Sequence, residues 1–200
     1  MYELLILTRL MHGPQHGYLI AKVANDIIGP WAKISLGTLY PLLAKLEQAG
    51  YIRSLAEEHN AAQSHRQSRT YEITPLGRVR FHQLMMDTAS NMGDYQRVFQ
   101  LLKVPYMEFL QPRERLHLLN HYINYCETRI LFVQSEMQDL LQMDPRVRRI
   151  SSSGLAATVD MMEHQVDQWQ GEIDWARRLR ERVVASIEAD PAGISARGVT

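Results

Sequence analysis

Apolar residues recur at helical spacing in the first quarter of the chain, at strand spacing in a short middle stretch, and at coiled-coil spacing through most of the second half. Leu4, Leu5, Leu7 and Leu10 predict a short first helix, ended by Gly13-Pro14. A second helix is predicted from Gly17 to Ile28. Its inner face holds Leu19, Ile20, Val23, Ala24 and Ile27, and Gly29-Pro30 stops it. Ser35 can cap a third helix reaching Gln48, with Gly50 as the C-terminal breaker and Leu39, Leu42, Leu43 and Leu46 on one face. Pro41 lies inside that helix and removes a backbone donor, which predicts irregular or slightly bent first turns.

The period then changes. Tyr51–Leu55 and Thr70–Ile73 are short and β-prone, separated by the polar stretch 56–69, and read as a two-stranded antiparallel hairpin with a long tip. Thr74-Pro75 opens a fourth helix running to Thr88 or Ala89. The run Ser90 to Asp94 is the best internal break. From Pro112 a heptad seam follows: Leu116, Leu119, Ile123, Cys126, Ile130, Val133, Met137 and Leu140. A second seam, Leu155, Val159, Met162, Val166, Trp169, Ile173 and Ala176, begins after a break at Asp144-Pro145 and Ser151 to Gly154. The expected segments are 1–90, a connector at 91–111, a helical domain at 112–187 and a loose tail at 188–200.

Helix, helix, helix and hairpin is the order of a winged helix-turn-helix. The expected fold is therefore mainly α with a small β-hairpin, an N-terminal winged helix followed by a coiled-coil-like dimerisation domain. The 200 residues suffice for two such cores, and 46% hydrophobic with 22% charged residues is ordinary globular composition. Twenty-two basic and 22 acidic side chains cancel, which excludes a polycation that binds nucleic acid by bulk charge. The first hundred residues hold ten Lys or Arg against eight Asp or Glu, so any DNA binding must come from arrangement and from doubling in a dimer. One cysteine excludes a disulfide framework. With no apolar run of membrane length and no signal-peptide pattern at the start, a cytoplasmic protein is expected.

With its leucines inward, the third helix turns Gly37, Thr38, Pro41, Lys45 and Gln48 the other way, toward a major groove wide enough for one helix. Ser35 caps a helix N-terminus that favours phosphate, Lys33 precedes it, and Tyr40 can place its hydroxyl on the DNA backbone. His59, His65, Arg66 and Arg69 crowd the hairpin, where long cations suit phosphate contact. The plain alternatives are a core role for Tyr40 and solvated charges at the hairpin tip. A winged helix can also serve as a protein-interaction adaptor, because fold does not fix function.

Four blocks in order make the reading specific: His16-Gly17-Tyr18, then Ser35 to Leu43 (SLGTLYPLL), then Leu46 to Ile52 (LEQAGYI), then Arg69 to Gly77 (RTYEITPLG). Over about its first 80 residues the chain resembles the PadR family of bacterial transcriptional regulators. The helical second half is similar in size and pattern to the dimerisation domain of the larger PadR subfamily, which includes virulence-gene activators. The resemblance implies a homodimer on a palindromic operator, usually as a repressor. In some members small aromatic compounds such as phenolic acids release the DNA, and others respond to hydrophobic drugs. An effector-independent regulator stays open beside these. The hairpin tip, long and rich in Gln, Ser and His, departs from the commonest family pattern, so no operator sequence carries over.

Two winged helices about one DNA turn apart (roughly 34 Å) read a palindrome, and a stiff helical frame can set that distance. The residues expected to dimerise are Leu116, Leu119, Ile123, Ile130, Val133, Met137, Val166, Trp169 and Ile173, with an intramolecular helical hairpin as the alternative use of the same seams. An effector wedged between reading head and frame would meet Tyr18, Trp31, Tyr95, Phe99, Trp169 or Trp175, with Lys103, Arg113 or His164 to pair a carboxylate. Glu114, His117 and His121 share a helix face but read as solvated surface, and Cys126 as a core hydrophobe. The basic clusters at Arg146, Arg148 and Arg149 and at Arg177 to Arg182 read as solvated or paired charge. No cofactor, metal or catalytic constellation is expected.

Overall fold

The computed structural model describes residues 1–28, 35–55, 69–88, 95–145 and 150–189. They fall into two units, Met1–Leu110 and Gln111–Thr200. The first contains α1 (Tyr2–Met11), β1 (Gln15–His16), α2 (Gly17–Ile28), α3 (Leu36–Gln48), β2 (Ile52–Leu55), β3 (Thr70–Ile73), α4 (Pro75–Met86) and α5 (Tyr95–Val98). A π-helical turn (Phe99–Lys103) and a 3₁₀ stretch (Val104–Phe109) continue from α5. The second unit contains α6 (Pro112–Gln142) and α7 (Ser152–Ala189). No described helix is long and apolar enough to cross a membrane.

The first helix is more central than its leucine spacing implies. Leu4, Leu5, Ile6, Leu7, Thr8 and Leu10 are all buried, and the Thr8 hydroxyl donates to the Leu5 carbonyl at 2.7 Å. A helix apolar all round belongs inside its unit. α2 runs from Gly17 to Ile28 as expected, and the Gly29-Pro30 stop lies outside the described residues; Ile20 and Ala24 are buried as expected, joined by Ala21, but Leu19, expected inside, is exposed.

The expected two-stranded hairpin gains a third strand. The sheet order is β1-β3-β2, antiparallel throughout, with His16 opposite Thr70, and Ile52 opposite Ile73. β1 spans two residues, too few for a period of two to show in the sequence. Across β2 and β3, Arg53 pairs with Glu72.

Thr74 joins sheet to helix. Its Oγ1 accepts from the Gly77 N–H at 3.0 Å, capping α4, and donates to the Gly50 carbonyl at 2.6 Å. Gly50 has φ of +76°, the left-handed conformation that ends α3 and turns the chain into β2. Gly77 is held by proximity: a Cβ there would lie 1.9 Å from the Tyr51 carbonyl oxygen. Arg80 on α4 grips the Glu3 carboxylate of α1 with two hydrogen bonds, at 2.7 and 3.1 Å.

The stretch read as a connector is helical from Tyr95 to Phe109 and packs into the first unit through Tyr95, Phe99, Leu102, Tyr106 and Leu110. Lys103, on its π-helical turn, is 1% exposed. Its ammonium donates to the Asp87 carbonyl at the end of α4 and lies 5.6 Å from the Tyr95 ring centroid. Burial pushes this group down to about 8, against the partial opposition of the Asp87 carboxylate.

In the second unit α6 and α7 pack antiparallel. Tyr125 meets Trp169 edge-on at 5.7 Å, Tyr122 meets Trp175 at 6.3 Å, and Arg180 reaches Asn120 at 2.8 Å. The Tyr122 hydroxyl donates to Glu172 at 2.8 Å; burial first, and this bond second, raise its pKa. The buried face of α6 is wider than a two-position seam, because Leu118, Tyr122 and Tyr125 join Leu119, Ile123 and Cys126.

Gly77→Ala forces a methyl onto a carbonyl oxygen and should cost about 3 kcal/mol or more of first-unit stability, read as a lowered thermal midpoint. Lys103→Met should raise the thermal midpoint at pH 7. Between about pH 8 and 10.5 the unfolded chain holds the proton that folded Lys103 has shed, so wild-type stability rises with pH there. The gap between variant and wild type should close across that window, by up to about 3 kcal/mol; a gap that ignores pH contradicts the assignment.

Candidate nucleic-acid interface

The chemistry of α3 follows from which of its faces is spent on the core. Leu39, Leu43 and Leu46 are buried and Leu42 is half-buried. Gly37, Thr38, Pro41, Lys45 and Gln48 are all exposed, as their spacing requires on a helix. Tyr40 is 40% exposed, with its ring against the place where α2 begins. The face carries a hydroxyl, an ammonium, an amide and a phenol, and no acidic side chain. Glu47, at its edge, accepts the Ser54 N–H at 3.0 Å and so ties α3 to β2.

The N-terminus of the helix is built as its sequence suggests. Ser35 Oγ accepts the Thr38 N–H at 3.1 Å and lies 3.0 Å from the Thr38 hydroxyl. Pro41 is accommodated in one continuous helix rather than an irregular first turn. The carbonyl that loses a partner to Pro41 is that of Gly37, which is exposed and can be hydrated.

The sheet brings the base of the wing to the same helix. Arg69 is exposed, and its carbonyl accepts the Gly17 N–H at 3.0 Å. Tyr71 is buried beside it; burial raises its pKa, with the Arg69 charge pulling the other way. Lys33, Trp31, Arg66, His59 and His65 lie outside the described residues.

Of the residues expected around an effector, Tyr18, Tyr95 and Phe99 lie in the first unit and Trp169 in the second. Tyr18 is 64% exposed on α2, and Trp169 packs in the α6–α7 hairpin. Tyr95 and Phe99 are fully buried in the first unit with ring centroids 6.1 Å apart, and Lys103 lies over the Tyr95 ring. His117 is exposed on α6, and the described residues contain no cluster of three His, Cys, Asp or Glu able to hold a metal ion. Of the expected dimerisation residues, Leu119, Ile123, Val133 and Ile173 are buried within the chain, whereas Leu116, Ile130, Met137, Val166 and Trp169 are half-buried.

Residues 6–83 match the model of the transcriptional regulator PadR-like family. Over this segment, less than half of the chain, the sequence is similar to the PadR-like family of transcriptional regulators. The matched segment lies wholly within the first unit and includes α3 and the sheet. No curated protein matches the chain. Among solved structures it is similar to PadR of Bacillus subtilis in complex with operator DNA, at 16% identity and TM-score 0.37, covering 90% of this chain and 98% of that one. It is also similar to the PadR-like regulator BC1756 of Bacillus cereus, at 20% identity and TM-score 0.37, covering 89% and 99%. The Vibrio cholerae virulence activator AphA gives 18% identity and TM-score 0.36, covering 93% and 99%.

Thr38 and Lys45 should separate two kinds of contact. Thr38→Ala should change which sequences are preferred, by about 1–3 kcal/mol at one base position, and leave non-specific affinity nearly unchanged. Lys45→Ala should weaken binding to all DNA and flatten its salt dependence by about one ion. Competition binding across a salt series measures both.

Proposed function

We propose that this protein is a PadR-like regulator that binds a palindromic operator as a homodimer, with α3 of each copy in a major groove and the wing on the flanking backbone, and that it acts as a repressor. The observation that carries the reading is the two-faced α3: three buried leucines beneath an exposed face of Gly37, Thr38, Tyr40, Pro41, Lys45 and Gln48 with no acid on it. The six sit with Ser35 and Arg69 as the DNA-contacting set, joined by Lys33 and Arg66 from the sequence. A protein-interaction adaptor would show no salt-dependent DNA affinity.

The second unit is the proposed dimeriser. Beyond Cys126 its hairpin leaves Leu131 67% and Phe132 55% exposed, with Met161 exposed on α7. Apolar surface of this kind is usual at a partner interface. Trp169 is committed to Tyr125 and Arg129 within the chain, so it is a poor place to probe dimerisation.

A small aromatic acid is the proposed effector. Lys103, Tyr95 and Phe99 support it: a buried amine over the Tyr95 ring, which itself packs near Phe99, is chemistry that can pair with a carboxylate beside an aromatic body.

Selection of genomic fragments on the purified protein, followed by footprinting, tests the reading. Two symmetric protected half-sites about one helical turn apart are expected; binding without sequence preference contradicts it. Leu131→Asp with Phe132→Asp should give monomers in sedimentation and lower operator affinity by at least about a hundredfold, since the second half-site is then bound without avidity.

A further inference from the structure

The expected DNA-contacting set leaves out α2, yet the structure presses the start of that helix against α3. The Gly17 N–H donates to the Arg69 carbonyl at 3.0 Å. A Cβ on Gly17 would lie 3.3 Å from the Tyr71 ring, 3.4 Å from the Tyr40 ring and 3.5 Å from a Leu43 methyl. The start of α2 is thus packed closely against both the wing base and the reading helix. The first turn of α2 therefore stands beside the proposed DNA face.

Tyr18, Leu19 and Lys22 are the exposed positions at the start of α2, and of these Tyr18 and Lys22 lie four residues apart on one helix face. Tyr18 is 64% exposed, more than any other large hydrophobic or aromatic residue described in the first unit. Asp26 continues the same face and is exposed, so the strip turns acidic two turns from its start. The inner face of the helix is taken by Ile20, Ala21 and Ala24. In a helix-turn-helix the helix before the reading helix crosses the DNA backbone, where a phenol can donate to a phosphate oxygen and an ammonium can neutralise one.

We propose that Tyr18 and Lys22 form a phosphate-contacting strip on α2 that grips the DNA backbone beside the groove entered by α3. Tyr18 is thereby moved from the effector set to the DNA surface. The inference rests on the DNA-binding reading above and adds a second element to it. Both side chains act on the backbone, so they contribute to affinity for every sequence alike. Asp26 marks where the duplex leaves the helix.

The test uses the full chain and two duplexes, a selected operator and a scrambled control, across a salt series. Lys22→Gln should weaken binding to both duplexes by the same factor, about tenfold at low salt, and reduce the slope of log affinity against log salt by about one. Lys22→Arg should restore both. Tyr18→Phe, which removes only the hydroxyl, should weaken both duplexes several-fold without changing the slope. Thermal midpoints should be unchanged, since both residues are on the surface. If the wild-type protein binds and Lys22→Gln keeps its affinity and slope, the strip is refuted and the DNA reading stands. If the wild-type protein shows no salt-dependent DNA binding, the DNA reading fails and takes the strip with it.

Discussion

Burial of three leucines under α3 is the constraint on which the rest depends. Leu39, Leu43 and Leu46 fix the rotation of that helix about its own axis, because turning any of them to water would forfeit about 1.5–3 kcal/mol each. Once the rotation is fixed, the opposite face has no freedom: Thr38, Pro41, Lys45 and Gln48 must point outward. The reading surface follows from packing. Ser35 sets where the helix starts and Gly50 where it stops, so position along the axis is fixed as well as rotation.

The three-stranded sheet turns this one helix into a module. β3 is its middle strand: it pairs with β2, which Glu47 ties to α3, and with β1, which leads into α2. Thr74 and Gly77 then lock α4 against the turn after α3 through contacts that tolerate no added atom. On the proposed DNA-binding reading these elements must hold their spacing, and these polar and steric contacts do so without enlarging the core.

Much of this architecture is legible from residue pattern, for reasons that differ by element. The start of α2 and the bounds of α3 are written in Gly17, Ser35 and Gly50, which act locally. The outward face of α3 is legible because a period of 3.6 separates faces cleanly. What escapes is what depends on partners distant in sequence. β1 exists only because β3 offers it hydrogen bonds, and two residues carry no period. Leu19 reads as core and is surface, because the buried stripe of α2 runs through Ile20, Ala21 and Ala24. Tyr95, Phe99 and Lys103 read as part of a connector; their four-residue spacing is a signal, but a lysine at the third position argues against burial until the Asp87 carbonyl and the Tyr95 ring are seen around it. The heptad seams promise helix pairing correctly and cannot say how much of it lies within one chain.

The central claim, that the outward face of α3 meets DNA, is tested most directly by chemical protection at that face. The native thiol Cys126 is buried, and burial pushes it up to about 12, so it will not compete for an alkylating reagent. A Thr38→Cys variant offers one exposed thiol on the reading face, and a Gln134→Cys variant offers one on the exposed side of α6 as a reference. With saturating operator DNA, alkylation at position 38 should slow by at least about tenfold relative to position 134. Equal rates at the two positions, with the DNA demonstrably bound, would contradict the account.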